Sequence, residues 1–331
     1  MRKILFALQA AFLFLLISCS QKKTSQSFTA MNTYMTVSLY SSSAKKGQEI
    51  CRQIQNRIVE LESLLSTTLP SSEVYNINHS EGRPSSFSPD LQTLLNFSLE
   101  LYQKTGGAFD PALYPVIREW GFTTGDYKVP SQERIEKLLQ HTDFSKLYED
   151  EKIELDFGAV GKGYAADQAL LILKENGIKS ALLDFGGNIQ ALGSKPDVSP
   201  WKIGIKNPWD GGVACALSIE SKAVVTSGGY ERYFEKDGQK YIHIFDPASG
   251  HPSQSDLESV TIVCESGKYA DALSTALFVM GRAAAINFWR ANPDFDFILI
   301  TKSGSLLYSA GLEAFIEPLY QFESVESVCL N

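Results

Sequence analysis

Apolar residues recur along this chain with two rhythms, one helical and one extended. Ile50, Ile54, Ile58, Leu61 and Leu65 are spaced 4, 4, 3 and 4, which puts a single apolar stripe along a long helix. Ser88-Pro89-Asp90 then supplies an N-cap, a proline at the first helical position and an early acid. Leu91, Leu94, Leu95, Leu101 and Tyr102 follow, and Gly106-Gly107 stops that helix. Further helices are predicted over 131–140, 164–175 and 269–291. Runs of β-branched and aromatic residues predict strands over 28–40, 153–157, 181–184, 189–192, 258–264 and 296–301. Segments 230–235 and 241–245 read as a hairpin turning at Asp237-Gly238. No repeat or low-complexity linker divides residues 28–320, so one α+β domain is expected where length alone suggests two.

The first residues follow neither rhythm. Arg2 and Lys3 precede an apolar run from Ile4 to Ile17 broken only by Gln9, the pattern of a secretory signal over 1–18 that is too short to span a bilayer as a mature helix. Its end, Leu16-Ile17-Ser18-Cys19, reads as a bacterial lipobox, with cleavage before Cys19 and a lipid on its thiol. The expectation is an exported bacterial lipoprotein, anchored to a membrane and not spanning it, with its domain facing the periplasm or exterior. Residues 20–27 are polar and read, with acylated Cys19, as a tether; 321–331 read as a C-terminal tail.

Composition narrows the chemistry. Among 331 residues, 30 Lys and Arg face 38 Asp and Glu, a net charge of −8. Taking off 1–18 removes two positive charges and leaves −10, which speaks against a nucleic-acid partner. Cys51, Cys215, Cys264 and Cys329 form no C-x-x-C pair, and their disulfide status stays open. His79, His141, His243 and His251 form no H-E-x-x-H, and no G-x-S-x-G occurs.

Glycine-rich turns are the remaining chemical signals. Gly158-Ala159-Val160-Gly161-Lys162-Gly163 lies between a predicted strand and a predicted helix, where backbone N–H groups can cradle phosphate. A Walker A loop would need glycine at 156 and Ser or Thr at 163, where Asp156 and Gly163 stand. Gly161-x-Gly163-x-x-Ala166 with Asp184 downstream mimics a dinucleotide fingerprint, yet the flanking chain does not alternate strands and helices. Close packing of helix and strand is the other reading of these glycines. Asp110, in Thr105-Gly106-Gly107-Ala108-Phe109-Asp110-Pro111, sits in a rigid turn. Asp271 and Thr275 lie one turn apart, able to offer oxygens to a hard cation such as Mg²⁺ or, alternatively, to serve as helix-start charge and buried hydroxyl.

In order and spacing, these pieces resemble the FAD:protein FMN transferase (ApbE) family over about 28–320. The matching stretches are Met31-Asn32-Thr33, Glu62 with Ser66 and Ser72 to Asn78, Gly107 to Pro111 with Trp120-Gly121-Phe122, and Asp156 to Tyr164 with Asp167. They continue with Phe185-Gly186-Gly187-Asn188-Ile189, Trp201 to Ile205, Thr226-Ser227-Gly228, Tyr241 to Ile244 with Asp246-Pro247 and Gly250, and Ala270 to Leu273 with Thr275-Ala276.

The resemblance implies an α+β domain related to the T-fold, with antiparallel sheets and packed helices. It implies FAD as substrate, Mg²⁺ as cofactor, and transfer of FMN through a phosphoester to a Thr or Ser of an acceptor flavoprotein, with release of AMP. Some members instead resemble FAD pyrophosphatases, and a flavin-binding lipoprotein without catalysis is a third reading. By position, the Ala159 carbonyl, Asp271 and Thr275 would hold the metal. Met31, Thr68, Phe109, Asp110, Lys162, Thr226, Ser227 and His243 would contact the flavin nucleotide. His243 would be the catalytic base, and Asp110 would orient it or hold adenine or ribose. The departures from the family pattern are Asn32 and Gly229 in two turns, Gly161 before the lysine, and Thr68 where an aromatic ring is common.

Overall fold

The computed structural model describes residues 21–80, 86–149 and 153–330, so 1–18 and Cys19 lie outside it. β1 (Lys22–Ala30) and β2 (Thr33–Ser41) pair antiparallel without a break from Lys22 opposite Ser41 to Ala30 opposite Thr33. The single strand expected over 28–40 is therefore two. Residues 22–27, expected as tether, are the first six of β1. Their polar composition hid the strand; pairing to β2 and inward placement of Thr24 and Phe28 decide the conformation. Met31 and Asn32 join the strands with φ of 50° and 57°, a two-residue type I′ turn. Asparagine tolerates that conformation, so the missing glycine at 32 is absorbed. Met31 tolerates it less well and is pinned by its N–H, which donates to Glu62 Oε1 at 2.8 Å.

α1 (Ala44–Leu65), capped by Ser43, buries Ile50, Ile54, Ile58 and Leu61 as the stripe predicted. α2 (Glu73–His79) and α3 (Pro89–Lys104) follow, then a 3₁₀ turn Pro111–Leu113, α4 (Tyr114–Glu119) and α5 (Gln132–Leu139). Residues 153–157, expected as a strand, join no ladder. The Asn78 amide holds both backbone groups of Leu155, and Asp156 N–H donates to the Pro111 carbonyl, so this apolar run is buried without a sheet partner.

α6 (Gly161–Glu175) leads into β3 (Ala181–Phe185) and β4 (Asn188–Leu192), which turn at Gly186 and Gly187, both with positive φ. β5 (Trp201–Lys206), β6 (Val213–Ile219) and β7 (Ala223–Gly228) precede a hairpin of β8 (Tyr233–Lys236) and β9 (Gln239–Ile242) at the predicted Asp237-Gly238 turn. After short β10 (Phe245–Asp246) and β11 (His251–Pro252) come β12 (Leu257–Cys264), α7 (Gly267–Ala291), β13 (Asp296–Thr301), β14 (Ser305–Ser309), β15 (Ile316–Pro318) and β16 (Ser324–Val328).

The main sheet runs β1-β2-β3-β4-β7-β12-β13-β14-β16 and is antiparallel except for the β14–β16 pair. α1, α6 and α7 pack on one face over a core that reaches from Phe28 to Val328. The three-stranded sheet β15-β6-β5 covers the other face around Trp201, Ile203 and Leu217. The chain is thus a single α+β domain, and the expected tail at 321–331 contributes β16 to it. Cys51, Cys215 and Cys264 are buried free thiols, and Cys329 is free and exposed.

Candidate active site

The site is built where α6 crosses α7. A Cβ on Gly163 would lie 2.2 Å from the Gly267 carbonyl oxygen and 2.8 Å from Asp271 Cβ, so only glycine allows this approach. Asp167, one turn further along α6, accepts from Ser266 Oγ (2.9 Å) and from the N–H groups of Gly267 (2.7 Å) and Lys268 (3.1 Å), satisfying the start of α7. The first turn of α6 therefore lies against Asp271. Asp271 is buried; its Oδ2 accepts from Gly163 N–H at 2.9 Å, and its Oδ1 is 3.8 Å from Lys162 Nζ. Ser227, on β7, completes the group through hydrogen bonds to Ser274 Oγ (2.8 Å) and Thr275 Oγ1 (3.1 Å).

His243 and Asp156 both lie within electrostatic reach of Lys162. His243 is held by one backbone atom of Arg232: its N–H donates to the Arg232 carbonyl at 3.1 Å, and its Nδ1 lies 3.0 Å from that same oxygen. A carbonyl only accepts, so Nδ1 carries the proton and Nε2 is the basic nitrogen. Burial, reinforced by the nearby charges of Arg232 and Lys162, lowers the His243 pKa to about 4. The imidazole is neutral at pH 7. Asp156, which accepts from Gly158 N–H, feels the same two cations, but burial outweighs them and pushes its carboxyl up. Asp110 accepts from Ala112 N–H at 2.8 Å, and burial raises its pKa to about 8.

Not every expected contact joins this cluster. Thr226 Oγ1 bonds Thr261 Oγ1 at 2.8 Å, on the sheet face opposite to that of Ser227, because adjacent strand residues point to opposite faces. Thr68 is exposed in the turn after α1, where its hydroxyl meets Ser66 Oγ. Phe109 is buried, its N–H bonded to Thr105 Oγ1, and Ala159 is half-buried ahead of α6. Met31 borders the site end of the sheet, where a Cβ on Gly186 would lie 2.1 Å from Thr33 Oγ1; the two type I′ turns pack on each other.

Sequence reasoning missed Arg232, Asp156 as a buried neighbour of the two cations, and Asp167 as the cap of α7. Arg232 was findable: counting outward from the Asp237-Gly238 turn, 233 pairs with 242 and 232 falls opposite 243. Trp120, Phe234, Tyr241 and Phe245 stack behind this hairpin, with Tyr127 on Phe234 at 5.0 Å between ring centres. Arg232 itself donates to the Phe122 carbonyl at 2.8 Å.

Comparison with known proteins places this geometry. A family model described as the ApbE family matches residues 31–299. A protein of Treponema pallidum named FAD:protein FMN transferase is 34% identical over 277 residues, 76% of this chain and 76% of its own. One of Klebsiella pneumoniae with the same name is 31% identical over 308 residues, 89% and 94% of the two chains. The crystal structure of an ApbE protein from Thermotoga maritima superposes with a TM-score of 0.81 at 30% identity, covering 89% of this chain and 99% of that one. The apo flavinyl transferase ApbE of Pseudomonas stutzeri gives 0.77 at 31% identity, covering 86% and 92%.

Proposed function

Because the chain belongs to the ApbE family, we propose that it is an FAD:protein FMN transferase that moves FMN onto a threonine or serine hydroxyl of an acceptor flavoprotein and releases AMP. The observation that carries the reading is the α6–α7 crossing, which gathers a buried carboxylate, a lysine and a hydroxyl pair beside a neutral histidine.

The oxygens at that crossing fit a hard divalent cation. Asp271 offers a buried carboxylate, Thr275 a hydroxyl one turn on, and the Ala159 carbonyl precedes the same glycine turn. These three groups would hold Mg²⁺, whose bound charge would offset that of the pyrophosphate oxygens. Lys162 is a second cation for the phosphates. The acceptor hydroxyl oxygen bonds to the FMN phosphorus, the bond from that phosphorus to the AMP phosphate oxygen breaks, and the hydroxyl proton passes to His243 Nε2. Its lowered pKa leaves the imidazole neutral at pH 7 with the Nε2 lone pair open to that proton, as a weaker base than an ordinary histidine. Asp110, protonated up to about pH 8, donates a hydrogen bond to a ring nitrogen or ribose hydroxyl of the nucleotide.

Incubation with FAD, Mg²⁺ and a flavoprotein carrying an acceptor threonine should leave fluorescent flavin on that protein in a denaturing gel, with AMP formed in equal amount. AMP and free FMN without labelling would make the protein a pyrophosphatase, and intact FAD would remove both enzymes. Asp271→Ala should abolish Mg²⁺-dependent turnover. The same reading includes export and acylation at Cys19.

A further inference from the structure

The ends of the main sheet differ in kind. The turns at Met31-Asn32 and Gly186-Gly187 close the site end. At the opposite end lie the start of β1, the end of β2, the start of α1, the start of β3 and the end of β4. Lys22 pairs with Ser41, Ser43 caps α1, Tyr40 N–H bonds the Ser180 carbonyl, and Ala181 pairs with Leu192. The following turn belongs there too, because a Cβ on Gly193 would be 2.1 Å from the Lys179 carbonyl, and Trp201 Nε1 donates to the Gly193 carbonyl.

This end is a rim of lysines. Lys22, Lys23, Lys45, Lys46 and Lys179 are exposed, and Lys195 lies over the Trp201 ring, 6.0 Å from its centre. None of the six forms an ion pair among the described residues, in a chain whose net charge is negative. Acids near them include Glu49, paired with Arg52; Asp197, bonded to Ser199 and within electrostatic reach of Lys195; Glu175, at the end of α6 four residues before Lys179; and Glu220, beside the Ser221 hydroxyl that binds Gly193 N–H. Lys45 and Lys46 occupy the first turn of α1, which holds no acid. Cations at a helix N-terminus oppose the dipole, so this arrangement favours an anion outside the protein. At the tip of the 195–199 turn, Val198 is 77% exposed with φ of 66°, a costly backbone for a β-branched residue and an apolar side chain held outward.

We propose that this rim docks on an anionic lipid bilayer. The inference rests on the reading of Cys19 as acylated. Two residues separate Cys19 from Lys22, a reach of about 10 Å to the start of β1, comparable to one Debye length. The lipid therefore delivers the lysines to the headgroups, and β1, nine residues long, sets the site about 30 Å out from the leaflet. The remaining surface, more acidic than the whole, is repelled by the same bilayer, which fixes one orientation.

The test is lysine footprinting of the mature, membrane-extracted full chain in nanodiscs of phosphatidylcholine alone or with one-third phosphatidylglycerol. An amine-reactive acylating reagent is read by mass spectrometry. Acylation at the six rim lysines should slow about fivefold in the anionic discs and recover in high salt, while Lys236 and Lys240 on the β8–β9 hairpin stay unchanged. Equal rates in both discs, or equal protection on the hairpin, would overturn it. A triple variant, Lys45→Glu, Lys46→Glu and Lys179→Glu, should lose protection at Lys22 and Lys195 while keeping wild-type FAD affinity and an equal or higher Tm. The mass of the N-terminal peptide separates the two readings. Lipid on Cys19 without protection refutes the rim, and salt-sensitive protection without lipid keeps the rim and refutes the anchor.

Discussion

The α6–α7 crossing and the β8–β9 hairpin both serve the site, and they are built from opposite materials. At the crossing, backbone touches backbone: Gly163 meets Gly267, and the Asp167 carboxylate takes up the first N–H groups of α7. Position is set there by the absence of side chain. At the hairpin, His243 stands on a two-stranded ribbon supported by stacked rings of Trp120, Phe234 and Tyr241. Its position is set by aromatic packing and by one carbonyl, that of Arg232. The difference assigns two kinds of precision: the phosphate and cation side is fixed by backbone contact in the core, whereas the proton-accepting side is carried on a largely exposed hairpin whose base is anchored to the core by Ile242 and Ile244.

Substitutions can break this contrast one side at a time. Gly163→Val should be the most damaging, costing about 3 kcal/mol or more in chemical denaturation, because neither backbone at the crossing can yield. A well-folded variant with normal Tm would show the crossing to be slack. His243→Ala should spare the fold and lower turnover by about 10²–10⁴-fold, measured as AMP release. Were its Tm to fall as far as that of the glycine variant, the hairpin would be core after all.

Smaller effects sharpen the same division. The acid limb of the rate profile should lie near pH 4, because His243 gains its proton only there. Arg232→Gln removes one of the charges holding that value down, so the limb should move up toward the ordinary histidine range of about 6.5. An unmoved limb would mean that burial and Lys162 set it without Arg232. Asp110→Asn should have the least effect on folding at low pH and a stabilising one at high pH. The folded state keeps the Asp110 proton up to about 8, whereas the unfolded chain releases it near 3.8, so wild-type stability from this group is lost as pH rises through that window. Thermal melts of the two proteins should coincide at pH 4 and separate by about 2 °C or more at pH 8, with the variant higher.

Much of this was readable in the residues. Ile50, Ile54, Ile58 and Leu61 gave the buried face of α1, and Ser88-Pro89-Asp90 gave the start of α3, because period and capping are local signals. Of the readings of the 158–163 glycines, close packing is what Gly163 serves, and that packing delivers Asp271 to the site. Thr226 stands apart from the Ser227 cluster because motif order does not reveal which strand face a residue takes, and that depends on its pairing with Thr261. Residues 153–157 had strand composition without a neighbouring strand, and side-chain bonds from Asn78 took the place of a ladder. The polar start of β1 was invisible for the converse reason: it has a partner but no apolar alternation strong enough to announce it.

That start of β1 bears on how a soluble form of the protein should be produced. Cutting at Phe28, where a tether was expected to end, would strip six of nine residues from the outermost strand. β2 would then present bare N–H and C=O groups from Thr36 to Ser41 on the sheet's new border, a template for another chain to add to. Beginning at Gln21 keeps that border closed, and the two products should differ in their tendency to aggregate long before they differ in activity.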